Sequence, residues 1–208
     1  VGFAWQTGKH ENSYLNPIPI CTYNLSNSSS TPAVVRIQNI TPASFEIKIQ
    51  RPPNESSVTP SDVACFIAEQ GLHTLADGRT FEAHRVTSTN VSGSNAGGWS
   101  NGEDVSGAIL GTYTNPVILG QVISYNNPVF STFWSYDCDS AGNPPFNSGM
   151  ADGICVGRHI GELNSGATVL SRNPEDLGYI VIEGDPDVAG ATDPVGSLPG
   201  GTRYEVAL

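Results

Sequence analysis

Val34-Val35-Arg36-Ile37-Gln38, followed by Asn39-Ile40-Thr41-Pro42-Ala43-Ser44 and then Phe45-Glu46-Ile47-Lys48-Ile49-Gln50, is the stretch that decides the fold class. Its two flanks alternate apolar and polar residues with the period of an extended chain, so Phe45, Ile47 and Ile49 share one face, expected to be buried. The six residues between them are rich in turn formers, and the whole reads as a hairpin. Further on, Val63-Ala64-Cys65-Phe66-Ile67-Ala68 is a near-continuous apolar run, which predicts a central strand packed on both faces. Asp77-Gly78 is a strong two-residue turn signal leading into a strand over residues 80–86. No segment keeps a helical apolar period free of Gly or Pro. The fold class expected is all-β.

The chain also repeats itself. Asn16-Pro17-Ile18-Pro19-Ile20 returns as Asn115-Pro116-Val117-Ile118-Leu119. Val63-Ala64-Cys65-Phe66-Ile67-Ala68-Glu69 returns as Leu177-Gly178-Tyr179-Ile180-Val181-Ile182-Glu183. Leu75-Ala76-Asp77-Gly78-Arg79-Thr80-Phe81-Glu82-Ala83 returns as Leu198-Pro199-Gly200-Gly201-Thr202-Arg203-Tyr204-Glu205-Val206. Three matches in the same order indicate duplication, and the widening spacing between copies places insertions in the second. The expected organisation is a tandem of two antiparallel β-sandwich modules. The first spans 1–89, a Ser/Gly/Asn-rich connection spans 90–107, and a diverged second module spans 108–208.

Composition narrows the setting. The 208 residues contain 23 Gly and 15 Pro, and only 14% are charged, so Ser, Thr and Asn must supply the polar surface. Nine Lys+Arg stand against twenty Asp+Glu, a net charge of −11 that would repel a phosphate backbone, so nucleic-acid partners are not expected. No apolar run is long enough to span a membrane, and no signal-peptide pattern precedes Val1. The chain is therefore expected to be a mature segment, cut from a precursor or from something longer. Four cysteines, none in a CxxC pair, allow three disulfide pairings or four free thiols. Cys21–Cys65 with Cys138–Cys155 is favoured, because each bridge then lies within one copy. Five Asn-x-Ser/Thr sequons, at Asn24, Asn27, Asn39, Asn54 and Asn90, crowd the first 90 residues and point to a glycosylated extracellular surface.

Arg36-Ile37-Gln38-Asn39-Ile40-Thr41-Pro42-Ala43-Ser44-Phe45-Glu46, with the closing strand at Val63–Glu69, resembles the C-terminal half of the H-type lectin module. The Asn16-Pro17-Ile18-Pro19-Ile20 segment is similar to that family's upstream strand. The resemblance covers residues 1–70, and more faintly 108–183. It implies a small antiparallel β-sandwich, often trimeric or hexameric, that binds galactose-type sugars. The family's sugar-binding side chains do not carry over: Pro32 stands where an arginine is expected, and Pro52-Pro53 where a Trp-His pair is.

No catalytic set emerges, and no cofactor is expected. Gly98-Trp99-Ser100-Asn101-Gly102 matches the nucleophile-elbow pattern, but both flanks are linker-like rather than strand and helix. The four histidines lack metal-ligand spacing. Asp185, Asp187 and Asp193 could offer oxygens to calcium, though a solvated acidic loop explains them as well. For sugar contact the candidates are the Trp99 and Tyr136 rings with Asp137 and Asn143 as polar partners. Two functions follow as expectations: a non-catalytic extracellular module for carbohydrate recognition or surface adhesion, or a self-assembling subunit of a glycosylated fibre or surface layer. The partners are accordingly glycans or further copies of the chain. The second reading draws on Glu205-Val206-Ala207-Leu208, expected to be an edge strand completed by a neighbour or a truncation point.

Overall fold

The computed structural model describes residues 1–24, 32–52, 60–76, 78–91, 102–113, 116–138, 153–160 and 173–183, with the side chain of Asp137 outside that set. The described chain is all-β. Its strands are β1 (Gln6–Lys9), β2 (Pro17–Tyr23), β3 (Val34–Gln38), β4 (Ser44–Gln50), β5 (Val63–Glu69), β6 (Gly71–Thr74) and β7 (Thr80–Ser88). After them come β8 (Glu103–Asp104), β9 (Pro116–Val122), β10 (Thr132–Asp137), β11 (Ile154–His159) and β12 (Glu175–Glu183). The sole helical piece among the described residues is a 3-10 turn at Ser106–Ala108.

The hairpin expected over residues 34–50 forms as β3 and β4, paired antiparallel from Val34↔Gln50 to Gln38↔Glu46. Asn39 turns the chain at φ 50°, and Thr41 Oγ1 accepts the Ser44 N–H while the Thr41 N–H donates to the Ser44 carbonyl. Phe45, Ile47 and Ile49 are buried, as their alternation required. Each such side chain contributes roughly 1.5–3 kcal/mol by leaving water.

Four sheets result, ordered β1-β4-β3, β2-β5, β10-β11-β8 and β6-β7-β12-β9. Segments that match in sequence pair in like register. Pro17 pairs with Glu69 and Ile18 with Ala68, just as Pro116 pairs with Glu183 and Val117 with Ile182. Likewise β8 lies on β11 beside β10 as β1 lies on β4 beside β3. Each half thus carries a three-stranded sheet and a paired strand couple in the same order.

Two expectations are corrected. The hydrogen bonding does not respect the 1–89/108–208 division: β7 from the first half pairs along β12 of the second, from Phe81↔Ile182 to Ser88↔Glu175. One core gathers Ile18, Val35, Ile37, Phe45 and Ala68 with Ile123 and Ile180 from beyond the expected boundary. The 90–107 stretch is not merely a connection either, since Glu103 and Asp104 form β8 and pair with Val156 and Cys155. The second correction concerns β5. Among the described residues it is no central strand but one of a pair, with Phe66 54% exposed. Its repeat β12 is the strand covered on both faces, because β7 and β9 flank it and two cores enclose it.

Both favoured disulfides are present. Cys21–Cys65 joins directly opposed residues of β2 and β5, and Cys138–Cys155 ties the end of β10 to β11 with both residues fully buried. Such bonds are compatible with an oxidising compartment. No described helix is long and apolar enough to cross a membrane.

Candidate functional site

Among the described residues, a groove lies between two strand edges. β1 pairs only with β4 and β5 only with β2 among the described residues, so each turns one edge of N–H and C=O groups away from its sheet. The space between those edges is a groove of about 570 Å³. Gln6, Thr7, Gly8 and Lys9 form one wall, Val63, Cys65, Phe66 and Ile67 the other, and Phe45 with Ile47 the floor. Gly8 is required here by close approach: a Cβ would stand 2.8 Å from Cζ of Phe45, whose ring crosses over it. The rim is polar, with Glu11, Asn12 and Tyr14, and the Tyr14 hydroxyl donates to the Ile67 carbonyl at 3.3 Å.

The second half has the same place in its architecture, and there it is filled. β7 runs along β12, and its side chains reach β8 and the segment that follows. Ser88 Oγ donates to Glu103 Oε1 at 2.6 Å, and Asn90 Nδ2 donates to the same oxygen at 2.9 Å. Glu82, fully buried, accepts the backbone N–H groups of Leu110 (2.8 Å) and Gly111 (3.0 Å) and bonds His84 Nε2 at 2.6 Å. Burial alone would raise the Glu82 pKa, but the Leu110 amide, His84 and the Gly111 amide outweigh it and hold the carboxyl below its ordinary value. Tyr113 stands beside it, its phenol pushed well up by burial and then by Glu82. The residues at these places in the first half are Glu11, Asn12 and Tyr14, the rim of the groove, by the same alignment that matches Pro17 to Pro116.

The sequence-nominated sugar contacts are not assembled into a site. Tyr136 lies on β10 with its ring 4.9 Å from that of Trp134, both half-buried. Trp134 packs over β11, where a Cβ on Gly157 would stand 2.4 Å from Trp134 Cζ2, so the indole serves packing. Asp137 pairs through its backbone with Ile154, while its side chain, Trp99 and Asn143 lie outside the described residues. Asp185, Asp187 and Asp193 lie outside them too, as do the sequons at Asn27 and Asn54. Asn24 and Asn39 are exposed, whereas the Asn90 amide is half-buried on Glu103. Asp104 approaches Cys138 and Cys155, but those sulfurs are bonded to each other and leave one carboxylate, too few donors for a metal.

Sequence reasoning missed the groove because it read residues 63–68 as interior. The sequence did hold a signal, since Cys65 and Phe66 replace Tyr179 and Ile180 of the repeat, but which copy is covered depends on what lies beside it. Compared with protein-family models, characterised proteins and solved structures, the chain finds no match.

Proposed function

We propose that this chain is a non-catalytic, glycosylated extracellular subunit that assembles with further copies of itself into a fibre or surface layer by adding an extended strand to its open sheet edges. The observation that carries this reading is the groove between the β1 and β5 edges, whose counterpart in the second half is occupied by β7. Backbone donors and acceptors along these edges, above an apolar floor, suit an incoming strand: the ladder supplies affinity and the floor selects side chains. Unpaired edges that are not capped by charge or proline favour such addition. Val63, Cys65, Phe66 and Ile67 offer neither.

The sequons, two disulfides and acidic surface agree with an extracellular location. Carbohydrate recognition, implied by the H-type lectin resemblance, rests among the described residues on Tyr136, whose ring already packs on Trp134.

Electron microscopy of the full chain, with sedimentation over a concentration series, tests the assembly reading. Regular fibres or sheets, and a mass that rises with concentration, are expected. A monomer at every concentration would overturn it.

A further inference from the structure

The two halves of the molecule meet through a contact with a direction. β7, which follows β5 in the first half, leaves its own half and pairs with β12, the repeat of β5, in the second. If the halves were related by a two-fold axis, equivalent positions would be equally buried. They are not. Ile18 is fully buried, with its Cγ2 packed 3.1 Å from the Cβ position of Gly178, while its repeat Val117 is 45% exposed. Ile180 is 3% exposed and its repeat Phe66 is 54% exposed. The first half therefore uses one surface (β2 and β7) and the second half the complementary one (β12). The unused complements, the Val117–Leu119 face of β9 and the open edge of β5, remain on the outside. A head-to-tail contact of this kind, repeated, generates a ring where its rotation closes and a filament where it does not.

The strand that would repeat the contact is written in the sequence. Residues 79–85 of β7 and its turn, Arg79-Thr80-Phe81-Glu82-Ala83-His84-Arg85, correspond to Thr202-Arg203-Tyr204-Glu205-Val206-Ala207-Leu208. Resting on the self-assembly reading above, we propose that residues 202–208 of one molecule occupy the β1–β5 groove of the next and pair antiparallel with β5, in the register that β7 keeps on β12.

That register is specific. Phe81↔Ile182, Glu82↔Val181 and Ala83↔Ile180 translate into Tyr204↔Ala68, Glu205↔Ile67 and Val206↔Phe66. Glu205 then arrives at the backbone of Glu11 and Asn12 beside Tyr14, as Glu82 meets Leu110, Gly111 and Tyr113. The covering contact matches as well. Ile18 over Gly178 becomes Val117 over Ala64, one methylene fewer on one side and one methyl more on the other. The sequence between Glu183 and Arg203 is longer than that between Glu69 and Thr80, which gives the second donor strand the reach to a neighbouring molecule.

The experiment uses the full chain carrying Phe66→Cys and Val206→Cys, mixed as equal parts of ordinary and nitrogen-15-labelled protein, oxidised gently and digested for mass spectrometry. Phe66 is half-exposed, so its replacement leaves the core intact. Linked peptides joining residues 66 and 206 with mixed isotopes are the expected result. Links of a single isotope would overturn the proposal, because the strand would then fill the groove of its own chain. Assembly without any 66–206 link would overturn the donor or its register while leaving self-assembly standing, whereas no assembly of the unsubstituted chain would remove both. Val206→Pro provides a second reading, since proline cannot donate to the ladder. It should raise the concentration needed for assembly at least about ten-fold, equivalent to ~1.4 kcal/mol. Unchanged assembly of that variant would also overturn the proposal.

Discussion

A single buried carboxylate shows how closely β7 is held. Glu82 has no contact with water, and its oxygens are taken by two backbone amides and His84. Its pKa is lowered in the folded chain, burial notwithstanding, by those donors. A depressed carboxyl stabilises the fold at pH values above its unfolded pKa, and that stability is lost as pH falls through the folded value. Glu82→Gln removes the charge and should therefore cost about 1.5–3 kcal/mol at neutral pH, the worth of charge-assisted hydrogen bonds. The gap between variant and parent should shrink as the pH is taken below the ordinary carboxylate range. Urea unfolding at neutral and acidic pH reads both quantities, and a gap independent of pH would mean that the Glu82 charge is not what binds β7. Nothing in Thr80-Phe81-Glu82-Ala83-His84 marks this glutamate as interior. Its burial depends on amides of Leu110 and Gly111 that approach only when the chain is folded.

At the scale of elements, strands were legible where alternation or turn chemistry is local, and illegible where coverage comes from afar. β3, β4 and β7 follow from periodicity and from Asp77-Gly78. β5 and β12 look alike in sequence, yet one lies at an edge and the other at the centre, because β7 docks on the second and not on the first. The β2–β5 couple pairs with no third strand among the described residues, although Ile18 and Ala68 pack into the core. A lone strand pair is marginal in water, and Cys21–Cys65 bridges its directly opposed residues. Removing the bridge with Cys21→Ser and Cys65→Ser should destabilise the fold by about 2–5 kcal/mol. Amide hydrogen exchange should rise first in residues 63–69, ahead of 175–183. Equal protection of those two segments in the variant would show that β5 does not need the bridge.

At the scale of the molecule, the matched segments of the sequence do not tell how the two halves interlock, because strand exchange between them leaves no local signature. The fastening is a buried cluster around Glu175 of β12. Glu175 accepts the N–H groups of Asn126 (3.0 Å) and Asn127 (2.8 Å) and the Ser124 hydroxyl. Arg36 of the first half approaches it at 3.4 Å and Arg158 at 3.7 Å, and all three charged side chains are fully buried. Arg36 further donates to Gln50 and to the Val129 carbonyl, tying β3 and β4 to the second half. Two arginines around one buried carboxylate leave an excess cation that the surrounding carbonyls must hold, so the cluster tolerates no missing member. With a sheet and a core shared across the expected boundary, heating should unfold the described halves in one cooperative transition rather than two. Glu175→Ala would strand both guanidinium groups and should cost about 3–5 kcal/mol, lowering that single transition as a whole. Calorimetry of parent and variant decides the matter. Two separate transitions in the parent would restore independent modules, and a variant in which only one half melts early would show that the cluster serves that half alone.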